Sequence, residues 1–475
     1  MIETGFLYNL FADPDIIRLP GPLAPLQNLI ALFISKRRAP KSRAAYESIG
    51  GGSPILQYST AQANLLCQAL EQSYGLSAKA YIGMRYWKPY TEDALEQIRR
   101  DGIEALVIVP LYPQFSISTS GSSLRVLQEE FSARAHLYSH LQHTVVPSWY
   151  DRPGYIQAMA DLICHELQQF TKEQIEWAMQ QQAATITSSD DKNQTKTTTT
   201  EAPLAPLHVL FSAHGVPQSY IEAGDPYQEQ IQDCVQSISE AVQQQWKSSW
   251  KDANANPPPA VEMHLSYQSR VGPIEWLRPY TDDVLPELGA RGVKNLVVVP
   301  ISFVSEHIET LEEIDMEYRE LAEESGIVHW RRCPALNTNE AFIRDLAAMV
   351  VQALEEPAQT VTEACVANRV AGIGVELQPP DEEPEGIFNT AGVQGASGGA
   401  RSGGGWFRGL QQQQRRKESS SSSSSIASTG TTTGSPGALK EKERLNARVA
   451  MVGVLITILV ELFNGKSLVQ MFGHS

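Results

Sequence analysis

Two stretches of this chain run through the same order of polar and apolar positions. The first, RYWKPYTEDALEQIRRDGIEALVIVP, spans Arg85 to Pro110, and the second, EWLRPYTDDVLPELGARGVKNLVVVP, spans Glu275 to Pro300. They align without a gap, with Pro89 on Pro279, Gly102 on Gly292 and Val109-Pro110 on Val299-Pro300. Each copy reads as a polar helix followed by a continuous apolar strand. An apolar run between helices fits a parallel sheet covered on both faces. Two copies imply two similarly built α/β halves, because a solenoid needs more units. The predicted fold class is therefore α/β, with two Rossmann-like halves and a cleft between them.

The same pattern divides the chain. Residues 1–150 form the predicted amino-terminal half, with helices near 59–73 and 91–101 and strands at YIGMRYW and EALVIVPLY. Residues 151–355 form the second half, which opens with a glutamine-rich helix at 154–181 and then a buried-looking strand, LHVLFSAHG. The first half shows no such strand ahead of its repeat. The expectation is that its first strand, with any targeting segment, is missing from the record, or else that this half is arranged differently. Between the halves, residues 184–205 read ATITSSDDKNQTKTTTTEAPLA, with too little to bury, and predict a disordered surface insertion. Residues 366–438 are a low-complexity tether rich in Gly, Gln, Ser and Thr.

Residues 439–475 are what is tethered. Their apolar run from Ala447 to Phe463 is interrupted by Arg448, Thr457 and Glu461. That is short for a membrane span but flanked by Lys440 to Arg444 and Lys466, which suit interfacial anchoring. A carboxyl-terminal transmembrane helix is predicted, with an amphipathic surface helix as the alternative. A second apolar run, residues 23–34, adjoins the basic Lys36-Arg37-Arg38 and would suit an anionic lipid surface as well as a core.

Charge and cysteines narrow the function. A formal net charge of −16 argues against a general nucleic-acid binder. The five cysteines are scattered and form no CxxC pair, which gives no support for a zinc or iron–sulfur site.

The chemistry gathers after equivalent strands. His214 follows an apolar strand, and Gly215 and Pro217 delay the next helix, so the imidazole sits on a turn at the carboxyl end of the sheet, where open α/β folds bind ligands. After the second repeat comes SFVSEHIETLEEIDMEYRE. On an α-helix Glu309, Glu313 and Glu317 would share one face, with Glu306 extending the stripe and His307 beside it. Carboxylates so placed suit a proton or cation path, or else a solvated face. His214 facing Glu309 could share a divalent first-row metal or relay protons.

At these residues the chain becomes recognisable. FLYNLFADPDIIRLP, ISKRRAPKS, YESIGGGSPI, GMRYW, YPQFSISTSGSS, FSAHGVP, YQSRVGPIEWLRPYT and FVSEHIETLEEIDMEYREL together resemble ferrochelatase, which inserts Fe(II) into protoporphyrin IX to give protoheme. The tail motif ERLNARVAMVG resembles the chlorophyll a/b-binding-type helix of cyanobacterial and some plastid ferrochelatases.

The resemblance implies catalytic roles for His214 and Glu309, which would also meet the metal, assisted by Glu306, His307 and Glu313. It implies porphyrin contacts from Tyr46 and Ser53, propionate contacts from Arg37, Arg38 and Lys41, and pocket walls from Arg85, Tyr86, Trp276 and Phe303. Fe(II) and protoporphyrin IX would be substrates, with no cofactor for catalysis. No cysteine follows Cys365, so no iron–sulfur cluster is expected. In the tail, Glu443, Asn446 and Arg448 would hold chlorophyll or carotenoid and support a homodimer in membrane lipid. A chloroplast thylakoid or inner-envelope location is implied, with the cyanobacterial thylakoid as the alternative. The competing readings are a chelatase acting on a sirohydrochlorin-type tetrapyrrole and a non-catalytic porphyrin- or heme-binding membrane protein.

Overall fold

The computed structural model describes residues 2–14, 16–17, 19, 21–188, 206–250, 258–271, 274–357 and 359–367. The predicted tether apart from residues 366–367, the tail helix with Glu443, Asn446 and Arg448, and most of the predicted insertion lie outside them. Among the described residues no helix is long and apolar enough to cross a membrane.

In chain order the first half carries α1 (Ile2–Ala12), α2 (Gln27–Ser48), α3 (Ile55–Tyr74), α4 (Thr91–Arg100), β1 (Ala105–Ile108), α5 (Ser122–Ala133), α6 (Ala135–Tyr138) and β2 (Gln142–Val145). The second half carries α7 (Pro153–Ser188), β3 (Leu207–His214), α8 (Gln218–Glu222), α9 (Tyr227–Ser249), β4 (Val261–Gln268), α10 (Thr281–Ala290), β5 (Asn295–Pro300), α11 (Arg319–Glu324), β6 (His329–Arg332), α12 (Glu340–Glu355) and α13 (Val361–Ala367). Helix α7 runs to Ser188, so the first residues of the tract read as an insertion are helical.

In the second half four parallel strands lie in the order β4-β3-β5-β6. Side chains alternate across a strand, and the sequence uses both faces. Val209, Phe211, Ala213, Val297 and Val299 pack with Ile163, Leu167, Ile231, Ile238 and Phe342 from α7, α9 and α12. Leu210, Leu296 and Val298 pack on the other side with Leu285, Leu288, Ile314 and Ala322. Each such side chain removed from water contributes ~1.5–3 kcal/mol.

The first half is built differently. Among the described residues its sheet has two strands, β1 and β2, in parallel. YIGMRYW, predicted as a strand, forms no ladder: Met84 makes one isolated bridge to Tyr90, as Tyr267 at the end of β4 does to Tyr280. In the second half β3 lies between β4 and β5. No described strand fills the matching place in the first half, so the segment ending at Met84 has no neighbour to pair with. For the same reason ALVI is only partly buried, although its apolar run predicts a strand covered on both faces.

The first half draws on other contacts. Leu95, Phe115, Leu124, Phe131 and Val145 form a core with Val361 and Ala364 of α13, so the described chain ends against its first half. Leu70 of α3 meets Ala347 and Val350 of α12. The described residues thus form two sheets, and the packing runs between them.

Candidate active site

Strand β3 delivers His214 at its last position, and three contacts fix the strand end. The His214 amide donates to Ser302 Oγ at 3.0 Å, Tyr227 Oη donates to the His214 carbonyl at 2.9 Å, and Tyr227 and Ser302 share a hydrogen bond of 2.8 Å. The turn needs Gly215: a Cβ there would lie 2.8 Å from the Gln268 carbonyl oxygen and 3.2 Å from the Trp276 ring. Trp276 is held in turn by its indole N–H, which donates to the Val271 carbonyl at 2.9 Å.

Strand β5 delivers the opposing group. Past Pro300 the chain makes an irregular turn and then a π-helix, Glu309–Tyr318, where an α-helix was predicted. Its wider winding places residues five apart in neighbouring turns. Tyr318 Oη accordingly reaches Glu313 Oε1 at 3.1 Å, and Ser269 Oγ donates to the other Glu313 oxygen at 2.7 Å. Glu309 opens the π-helix with its two oxygens divided between two histidines. Oε1 is 3.5 Å from His214 Nε2, and Oε2 is 2.8 Å from His307 Nε2.

The electrostatics follow from this geometry. Burial opposes a charge on His214. The Glu309 charge and hydrogen bond, the Glu313 charge and the Gly215 carbonyl outweigh it, and raise the imidazole to about 9. His214 Nδ1 faces that carbonyl at 2.7 Å, so the proton there is held. Burial also pushes Glu309 upward, but His214 and His307 hold it well below the usual carboxylate range. Glu313 goes the other way: burial and then the Glu309 charge raise it to about 7, despite Ser269, His214 and Tyr318. The site thus pairs a fixed carboxylate with one that titrates near neutrality.

Other predicted residues fall into three groups. Phe303 packs edge-on to His214, with ring centroids 6.2 Å apart, and against His307 at 4.3 Å. Lys41 of α2 reaches Glu317 at 3.5 Å, which brings the basic run of the first half over the far end of the π-helix. Arg38 lies over the Phe11 ring, 5.9 Å from its centroid. Arg37 and Ser53 are exposed, and Tyr46 is half-buried.

Glu306 is the clearest correction. It is buried and turned away from the pair, accepting from Arg332 Nη1 at 2.8 Å, from the Ala335 amide at 3.0 Å and from the Thr310 hydroxyl. It precedes the helix, so helical spacing does not place it on the stripe. Arg85 and Tyr86 are likewise engaged. Both donate to Asp13 Oδ2, at 2.6 and 3.0 Å, as Ser122 does at 3.0 Å, while Arg125 takes Oδ1 at 3.1 Å.

Asp13, Arg125, Ser302, Tyr227 and Arg332 were not singled out in the sequence. Asp13 and Ser302 lie within or beside quoted motifs, but only their burial distinguishes them.

Parallel strands with a His–Glu pair past the ends of β3 and β5 define an α/β protein with a polar site at the carboxyl edge of its larger sheet. The chain belongs to the ferrochelatase family, whose model matches residues 4–354. It is 52% identical over 350 residues to "Ferrochelatase-2, chloroplastic" of Oryza sativa subsp. indica, covering 74% of this chain and 58% of that one. The chain thus spans little more than half the length of that relative. To "Ferrochelatase" of Trichodesmium erythraeum it is 47% identical over 389 residues, covering 82% of this chain and 87% of that one. Among solved structures, SirB from Bacillus subtilis with Fe3+ is similar at 12% identity with a TM-score of 0.37, covering 61% of this chain and 88% of that one.

Proposed function

We propose that this chain is a protoporphyrin ferrochelatase, inserting Fe(II) into protoporphyrin IX with release of two protons. The observation that carries the reading is the meeting of His214 and Glu309, from two strand ends, at 3.5 Å with Glu313 behind them. A site for this reaction must attract a divalent cation, take protons from pyrrole nitrogens and keep those protons apart from the metal.

In the resting site His214 holds its proton, because Glu309 stabilises the imidazolium. Fe(II) drawn to Glu309 neutralises that support. The His214 proton is then released, and its Nε2 becomes a base for a pyrrole N–H. Glu313, titrating at about 7, receives protons from His214 and passes them outward. Phe303 and Trp276 form apolar walls suited to a planar aromatic substrate. Arg37, Arg38 and Lys41 supply cations for carboxylate side groups, Tyr46 and Ser53 line the approach, and Arg85 and Tyr86 act through the fixed Asp13 cluster. Glu306 and His307 are positioning residues: Glu306 anchors the turn, and His307 orients Glu309.

The proposal includes no iron–sulfur cluster, since no cysteine follows Cys365. For the tail, the proposal is a membrane helix that binds chlorophyll or carotenoid through Glu443 and Asn446. It dimerises by pairing Glu443 with Arg448 of the second copy, in a thylakoid or inner-envelope membrane. Its support is the motif ERLNARVAMVG.

The test of the activity is anaerobic incubation of the full chain with Fe(II) and protoporphyrin IX, followed by the absorption spectrum. Conversion to the protoheme spectrum is expected. Conversion of sirohydrochlorin alone would move the substrate class, and no change with either would leave a binding protein. Deleting residues 440–475 should release the chain from membranes and from its dimer while leaving insertion intact. A truncated chain that stays dimeric and integral would contradict the tail proposal.

A further inference from the structure

A second group of ligating side chains lies at the opposite rim of the same sheet. His208 is the second residue of β3, and Glu262 and His264 stand on β4. The parallel register sets His208 beside Glu262 and Leu210 beside His264, so all three project from one face. Their ligand atoms lie within 4.8 Å of one another. His208 Nδ1 is 3.1 Å from His264 Nε2 and 3.7 Å from Glu262 Oε2. The six residue steps along β3 from His208 to His214 span ~20 Å at strand rise, so this group is remote from the catalytic pair.

We propose that His208, Glu262 and His264 form a divalent metal site of the zinc class. Two imidazoles and one carboxylate suit borderline ions such as Zn(II), Co(II) or Ni(II). Zinc binds such nitrogens at ~2.0–2.1 Å, which sets two tetrahedral ligands ~3.4 Å apart, close to the separation found.

His208 is buried and His264 half-buried, while Glu262 faces solvent, which leaves an entry path and an open position for water. The competitor is Arg291, which holds Glu262 Oε2 at 3.2 Å but is 57% exposed and can swing away. A bound ion would fasten edge strand β4 to β3.

The test is zinc titration of the full chain against a chromophoric chelator, in a His214→Ala background that removes the catalytic histidine. One zinc equivalent is expected, with affinity falling by at least about tenfold in His264→Ala. Arg291→Gln should raise the affinity, because it frees the carboxylate, and it decides the matter if His264→Ala fails to fold by circular dichroism. Unchanged zinc binding in a folded His264→Ala chain would overturn the site. So would absence of binding in both the parent and the Arg291→Gln chain, leaving a plain hydrogen bond between two histidines.

Discussion

Leu106 and Leu296 occupy the same place in the two repeats, yet they live in different surroundings. Leu296 is fully buried on the central part of a four-stranded sheet, whereas Leu106 is half-buried on a two-stranded one. The second half is held by strands packed on both faces. The first combines an apolar core completed by α13 with a polar knot at Asp13, whose carboxylate gathers Arg85, Tyr86, Ser122 and Arg125. Both halves place a π-helix after the repeat strand, Ile117–Gly121 in the first and Glu309–Tyr318 in the second. The first carries hydroxyls and the second carboxylates. The same local pattern therefore sets where the turn falls, while the side chains on it differ between the halves.

If the first half depends on its buried ion cluster, Asp13→Asn should destabilise the chain by ~3–5 kcal/mol, because two arginines then lose their buried partner. Urea unfolding would show it, and a loss under about 1 kcal/mol would mean the cluster does not carry that half. The paired leucines sharpen the contrast. Leu296→Ala should cost ~2–5 kcal/mol, and Leu106→Ala clearly less. Equal losses would mean that the two sheets are equally loaded.

A third difference lies in pH. Glu313 is raised from 4.5 to about 7, so the folded chain binds more protons than the unfolded one in that window. Its contribution to stability is present below the unfolded value and is lost as pH rises through about 7. Turnover should rise over the same limb as Glu313 becomes an acceptor. Glu313→Gln should flatten both profiles, and an unchanged limb would assign it to another group. The smallest effect is expected at the seam between the halves. Lys41 and Glu317 are 76% and 50% exposed, so Lys41→Ala should change stability by less than about 1 kcal/mol. Its effect should appear in KM, and a kcat effect alone would remove Lys41 from substrate binding.

Much of this arrangement was legible in the sequence. The repeat marked two α/β halves, and the apolar run before His214 marked a strand ending at that residue. Glu309 and Glu313 stood out by spacing. What was not legible depends on neighbours distant in sequence. YIGMRYW has strand composition but no adjacent strand among the described residues, and extended backbone without a partner makes no ladder. The π-helix is not encoded by a period that distinguishes it from an α-helix over ten residues. Glu306 looked like part of the stripe because nothing in its local sequence reveals Arg332, brought over from β6. Asp13 was not singled out, and the fold brings Arg85, Tyr86, Ser122 and Arg125 onto it from distant positions in the chain.

The central claim is that the pair over the second sheet performs metal insertion. The direct measurement is the anaerobic rate of Fe(II) insertion in Glu309→Gln beside the parent chain, with porphyrin binding followed by fluorescence. The account predicts turnover reduced by ~10²–10⁴-fold with porphyrin still bound and circular dichroism unchanged. A Glu309→Gln chain that inserts iron within a few-fold of the parent would contradict it.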